Sequence, residues 1–269
     1  KFRNTARYCL GNLDGFDPDR LVPAGEMEEL DRWAVTRLNA LIEKCAQAYG
    51  DYEFNAVTHA VNDFCVVDMS NFYLDIIKDR LYCEARDGRK RRSAQTALFL
   101  ILDTMTKIMA PILAFTCDEI WLAMPHRAGD DGRNVVFNEM NQPFADYALD
   151  EAAMARWDRI IAVRDTVNAA LESARNEKRI GKSLEAAVAL TVPAEDAFLA
   201  EMDSQVLADL LIVSQVRVTA GGALSVSVAE AGGEKCLRCW KHSADLGSDP
   251  EHPALCARCA AVVRDLPQF

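Results

Sequence analysis

Cys236-Leu237-Arg238-Cys239 and Cys256-Ala257-Arg258-Cys259 stand sixteen residues apart, and this spacing constrains the chain more than any other feature. Two cysteines three positions apart can offer both thiolates to one ion across a tight turn, and a second such pair completes a tetrahedron. Four protein ligands leave no open coordination position, so Cys236, Cys239, Cys256 and Cys259 are expected to hold one structural Zn2+ ion. His242 and His252 lie in the same stretch, but four spaced cysteines leave them outside the ligand set. The tail from Ala231 has too little apolar sequence to build a core, so its folding free energy is expected to come largely from the metal. The other five of the nine cysteines, Cys9, Cys45, Cys65, Cys83 and Cys117, are scattered. An odd cysteine total, with no apolar stretch after the charged opening Lys1-Phe2-Arg3, fits a reducing, cytoplasmic compartment. No apolar run reaches the ~18 residues of a membrane span.

Upstream of the cysteines the hydrophobic pattern is helical. Residues 26–49 carry Leu30, Trp33, Leu38, Leu41 and Cys45 at three- and four-residue spacing, with Gly50 placed to end the helix. Residues 54–67, 72–83 and 91–109 repeat the pattern as amphipathic helices, and Pro111 and Pro125 bracket a short helix over 116–124. Short connections imply an antiparallel bundle. The stretch 126–142 is turn-rich and reads as loop. A long helix is expected over 150–177. Leu184, Ala186, Val188, Leu190 and Val192 then alternate as in a half-buried strand, and 194–210 reverts to helix. Residues 211–219 and 223–229 read as two strands joined as a hairpin at Gly221-Gly222. The expected fold is therefore mainly α: a helical bundle over 1–149, a long helix plus small α/β connector over 150–230, and a zinc module over 231–269.

Charge adds a local contrast. The chain carries a net −11, which argues against a general nucleic-acid binder. Residues 78–92 nevertheless hold seven basic side chains, Lys78, Arg80, Arg86, Arg89, Lys90, Arg91 and Arg92, against Asp79, Glu84 and Asp87. That segment carries +4 and leaves −15 on the other 254 residues. Such a contrast can focus a phosphate backbone onto one surface, and Phe72, Tyr73 and Tyr82 are nearby candidates for stacking on unpaired bases. A solvated helix end is the plainer reading of the same residues. Arg175, Lys178, Arg179 and Lys182 close the long helix, where cations favour the helix C-terminus in any case.

Catalytic patterns are missing. Gly181-Lys182-Ser183 resembles the end of a phosphate loop, but the earlier glycine position is Asn176. No His-Glu-x-x-His, Gly-x-Ser-x-Gly or Gly-x-Gly-x-x-Gly occurs, and none of the four histidines stands beside a plausible nucleophile. No catalytic residue is assigned.

Several segments resemble one family in order along the chain. Lys1-Phe2-Arg3-Asn4-Thr5 with Gly11-Asn12-Leu13 resembles the entry to the anticodon-binding helical domain of the isoleucine–valine–leucine group of class I aminoacyl-tRNA synthetases. Asn71-Phe72-Tyr73-Leu74-Asp75-Ile76-Ile77-Lys78-Asp79-Arg80-Leu81-Tyr82 and Arg179-Ile180-Gly181-Lys182-Ser183-Leu184-Glu185-Ala186 are similar to the isoleucyl branch. Cys236-Leu237-Arg238-Cys239-Trp240 and Leu255-Cys256-Ala257-Arg258-Cys259 resemble the C-terminal zinc module of bacterial isoleucyl-tRNA synthetases.

The resemblance implies an anticodon-binding domain over 1–149 and the C-terminal tRNA-binding part of an isoleucine–tRNA ligase. It implies that Lys1 is an interior residue of a longer enzyme. ATP, isoleucine activation and editing would belong to domains absent here, since the family's His-Ile-Gly-His-like and Lys-Met-Ser-Lys-Ser-like motifs do not occur. The expected partner is tRNA(Ile), with no DNA, no membrane and a monomeric state. The candidate RNA contacts are Lys78, Arg80, Arg89, Lys90, Arg91, Arg92 and Trp240, with packing against the zinc knuckle as the alternative for Trp240. The competing reading is a helical adaptor with a structural zinc ribbon that binds protein partners rather than RNA.

Overall fold

Apolar residues at helical spacing wind the first part of the chain into α1 (Phe2–Asn12), α2 (Glu29–Gly50) and α3 (Phe54–Asp63). The computed structural model describes residues 1–266. Winding does not stop at Asp63. Ten residues, Phe64–Tyr73, continue as a π-helix and lead into α4 (Leu74–Ile76) and α5 (Lys78–Cys83). Sequence periodicity leaves a gap over 68–71 here, and the structure closes it. The buried residues Phe64/Cys65, Asp68/Met69 and Phe72/Tyr73 recur every four positions. That repeat outruns the 3.6-residue α period, and wider winding keeps all three pairs on one side. Asp68 belongs to the buried face because Arg37 Nε donates to its Oδ1 at 2.8 Å.

The next helices are α6 (Arg89–Met109) and α7 (Ala114–Ala123), followed by a largely irregular segment that includes a 3-10 turn at Val135–Phe137. Every residue of α6 from Ser93 to Met109 is buried, so this helix is the centre of the bundle rather than an amphipathic wall. Its polar residues are internally paired. Gln95 donates to Asn12 O at 2.8 Å, Thr96 Oγ1 accepts from Val22 N at 3.1 Å, and Lys107 pairs with Asp103 at 2.9 Å. Asn141 closes the irregular segment onto the same helix by donating to Asp103 at 2.7 Å and Thr104 Oγ1 at 2.8 Å. Gly50 lies in the last turn of α2 rather than beyond it, and the left-handed residue at that corner is Tyr52, φ +59°.

The long helix α8 (Glu151–Asn176) leads to β1 (Ala186–Val192), then α9 (Phe198–Glu201), α10 (Ser204–Leu211), β2 (Gln215–Ala220) and β3 (Ser225–Glu230). The expected single helix over 194–210 is broken, and Asp203 starts α10 as its cap, accepting from Gln205 N at 2.8 Å and Val206 N at 3.1 Å. The expected β2–β3 hairpin is not formed. The sheet order is β2-β1-β3, with β1 parallel to β2 and antiparallel to β3. The strand richest in buried alternate residues, Ala186, Val188, Leu190 and Val192, takes the centre and matches Val216 and Val218 on one side, Val228 and Val226 on the other. Gly221 and Gly222 (φ +130° and +88°) turn the chain so that it passes β1 instead of folding back on β2.

The last elements are the short antiparallel pair β4 (Glu234–Lys235) and β5 (His242–Ser243), and α11 (Ala257–Arg264). By internal contacts the chain forms two compact units: Lys1–Tyr82 with Arg86–Asp150, and Cys83–Ala85 with the chain from Glu151 onward. Among the described residues no helix is long and apolar enough to cross a membrane.

Candidate metal centre and nucleic-acid interface

β4 and β5 hold the first cysteine knuckle between them. Gly233 (φ +88°) starts this hairpin, where a Cβ would stand 2.4 Å from Ser243 O, so only glycine fits. Cys236 N donates to Lys241 O at 2.9 Å and Trp240 N to Cys236 O at 2.9 Å, closing the turn that points Cys236 and Cys239 the same way. The second pair uses a helix start: Cys256 is the residue before α11 and Cys259 lies in its first turn. All four cysteines are buried, and their Sγ atoms lie within 4.8 Å of one another. The Cys239 and Cys256 sulfurs are 3.9 Å apart. A tetrahedral ion with Zn–S bonds of ~2.3 Å needs sulfurs ~3.8 Å apart, so the cluster fits zinc with little adjustment.

The four thiols sit in unequal surroundings: Cys239 is lowered, while burial and their neighbours raise Cys256 and Cys259. Cys256 N donates to Cys236 Sγ at 3.4 Å. A hydrogen bond from Cys259, opposed by burial, draws the Cys239 thiol down to about 5, and the same bond with burial pushes Cys259 well up. Apolar support is thin: Leu246 and Leu255 pack on the cluster together with Cys83. His242 Nδ1 faces Gly233 O at 3.3 Å and His252 N donates to Asp249 O; neither ring joins the thiol group. With all four ligands supplied by protein, the zinc is structural.

Trp240 follows the knuckle in a left-handed conformation, φ +64°. That region is costly for a bulky residue, and the turn closed by Trp240 N enforces it. The indole does not pack under the knuckle. It is 53% exposed, with Lys182 Nζ 5.4 Å and Lys235 Nζ 5.8 Å from its ring centroid. Lys182 is positioned by the turn before β1, where Glu185 accepts from Gly181 N at 2.8 Å and Lys182 N at 3.1 Å.

The side chains of the basic stretch divide sharply by their partners. Arg80 is removed from the candidate interface. Its guanidinium makes two 2.8 Å hydrogen bonds to Asp31, which is fully buried and also accepts from Tyr73 Oη at 2.7 Å and from Ser93 Oγ. Burial works against the Arg80 charge, and Asp31 more than restores it, so its pKa is raised. Phe72 and Tyr73 are likewise buried and cannot stack on a ligand, whereas Tyr82 is exposed. Arg91 is a brace, donating to Leu81 O at 3.2 Å and Arg86 O at 2.8 Å. Arg92 donates to Gly15 O at 2.9 Å, to Gln95 and to Asp87. Arg89 remains largely exposed with a 3.3 Å contact to Glu28, and Lys78 pairs with Asp75 at 2.6 Å on the surface. Lys90 is half-buried and has no ion pair among the described residues.

Sequence reasoning did not reach Asp31 as the anchor of Arg80, or Lys235 as a neighbour of Trp240. The first pair lies 49 residues apart, and no local periodicity encodes it. Lys235 stands beside the first cysteine, and its place opposite Trp240 follows only from the β4–β5 pairing.

Comparison with known proteins places these parts. The family described as the anticodon-binding domain of tRNA ligase matches residues 31–190, and the zinc finger found in FPG and IleRS matches residues 233–262. The isoleucine–tRNA ligase of Syntrophotalea carbinolica is 47% identical over 277 residues, and that of Geobacter sulfurreducens equally so. That of Kosmotoga olearia is 44% identical over 274 residues. Each alignment takes in 98% of this chain and 29% of the relative, so the chain spans under a third of these ligases. The match over 31–190 covers more than half of the chain, and the chain belongs to the anticodon-binding domain family of tRNA ligases.

Proposed function

We propose that this chain is the C-terminal tRNA-binding part of an isoleucine–tRNA ligase, whose whole form activates isoleucine with ATP and attaches it to tRNA(Ile). The chain grips the anticodon stem-loop and so holds the distant acceptor end in register; adenylation and editing belong to the remainder of the ligase. The observation that carries this reading is Trp240: a half-exposed indole fixed by a metal knuckle, flanked by two lysine ammonium groups. Such a ring offers a face to an unpaired base while Lys182 and Lys235 meet its phosphates. Arg89 and Lys90, with Lys78 in support, supply non-specific attraction to the stem. Arg91 and Arg92 contribute by bracing that segment.

We further assign the working boundaries 1–149, 150–230 and 231–269 to the bundle, the connector and the zinc module, and a monomeric, cytoplasmic state. The supporting experiment compares Trp240→Phe and Trp240→Ala in zinc-loaded protein by tRNA titration. Phe is expected to retain most of the affinity and Ala to lose it. Equal affinity for wild type and Trp240→Ala contradicts the reading, and a chain that binds no tRNA returns the adaptor reading.

A further inference from the structure

The first zinc knuckle holds more than the metal. Residues Cys83–Ala85 fall in the second compact unit although they lie in the middle of the basic stretch. Cys83 is buried in the same cluster as the four zinc cysteines. Its Sγ donates to Arg238 O at 3.7 Å, and Arg238 Nη1 donates back to Cys83 O at 2.6 Å. Arg238 is one of the two residues between Cys236 and Cys239, so both bonds originate on the knuckle's own turn. The second knuckle contributes as well: Arg258, between Cys256 and Cys259, reaches Glu84 at 3.5 Å. Each Cys-x-x-Cys loop thus supplies one arginine to the same three-residue segment. Arg91 donates to Leu81 O and Arg86 O, which lie on either side of this segment in sequence.

We propose that the zinc module is a clamp on residues 83–85, so that metal occupancy sets the order of the chain that runs on to Arg86, Arg89 and Lys90. The physical link is short. Without the ion four thiols no longer share a centre, and the two turns lose the geometry that aims Arg238 at Cys83 and Arg258 at Glu84, while the Arg91 and Arg92 bonds to Arg86 and Asp87 remain. A loop with few remaining hydrogen bonds opens locally at small free-energy cost. Cys83 acts here as a packing and donor group, not as a fifth ligand. The inference deepens the RNA-binding reading, since it makes zinc a condition for presenting the cations as well as Trp240.

The test is amide hydrogen exchange by mass spectrometry on this chain, zinc-loaded and chelator-treated, following peptides over 83–92 and, as an internal control, over 97–105 in the buried helix α6. Exchange over 83–88 is expected to quicken about tenfold or more on metal removal, with 97–105 unchanged. In zinc-loaded protein, Arg238→Ala and Glu84→Gln are expected to quicken the same peptides while metal analysis still finds one zinc per chain. Cys83→Ser, which keeps a donor for Arg238 O, is expected to behave more like wild type than Cys83→Val. Should Arg238→Ala lose its zinc, Glu84→Gln and the Cys83 pair decide the matter. Unchanged exchange over 83–92 after metal removal, or in zinc-replete Glu84→Gln together with Cys83→Val, overturns the clamp. The exchange readout contains no RNA. A clamp that fails in protein that binds tRNA, and a clamp that holds in protein that does not, are therefore separable results.

Discussion

Asp31→Asn probes the most demanding group in the bundle. The native carboxylate is fully buried and accepts four hydrogen bonds: two from Arg80, one from Tyr73 Oη and one from Ser93 Oγ. These join α2 to the π-helix, to α5 and to α6. Asparagine keeps the shape but removes the charge and turns an NH2 group toward donors. Arg80, whose side chain is 12% exposed, is left as a buried cation without its anion. Breaking a buried pair in this way costs about 3–5 kcal/mol. At roughly 2–4 °C per kcal/mol for a unit of this size, Tm should fall by about 6–20 °C. Urea and thermal unfolding followed by circular dichroism measure it. Arg80→Met in the Asp31→Asn background removes the stranded charge, so the double variant should be more stable than the sum of the single losses, by about 1–3 kcal/mol of coupling. A loss below ~1 kcal/mol for Asp31→Asn, or strict additivity, would refute the assignment of Arg80 to the core.

Two further expectations are simpler to check. Replacing Arg89 and Lys90 with Gln should lower the slope of log affinity against log salt by about one to two for tRNA, near 0.7–0.9 per phosphate contact, without lowering Tm; an unchanged slope removes them from the interface. Glu185 is held below the usual glutamate range by the Gly181 and Lys182 amides. Because its folded pKa is depressed, its contribution is complete above the ordinary ~4.3 and is lost only as pH falls through the lower folded value. The Gly181 and Lys182 amide resonances should report that transition below pH ~4, and a midpoint at or above the ordinary value would contradict the 181–185 turn.

What the sequence encodes locally proved readable, and what depends on distant partners did not. The four cysteines, the helical run of the first 150 residues and the strand at Val188 and Leu190 are periodic or spaced patterns. They appear in the structure where the pattern puts them. Trp240 could be named because it follows Cys239 directly. The errors share one cause. Arg80 and Tyr73 look like surface groups until Asp31, more than 40 residues upstream, is brought against them. The polar residues of α6 look like a solvent face until Asn12, Asn141 and Val22 pair with them. Gly221-Gly222 reads as a hairpin turn because a turn motif does not say which strand lies beside it, and β1 competes more strongly for both neighbours.

Anticodon recognition by this chain is measured by the affinity of the zinc-loaded protein for the anticodon stem-loop of tRNA(Ile), set beside that for a stem-loop of equal length with a different anticodon at the same salt. Tighter binding to the isoleucine stem-loop is expected, with the difference removed by Trp240→Ala. Equal affinity for both stem-loops, or none for either, would contradict it.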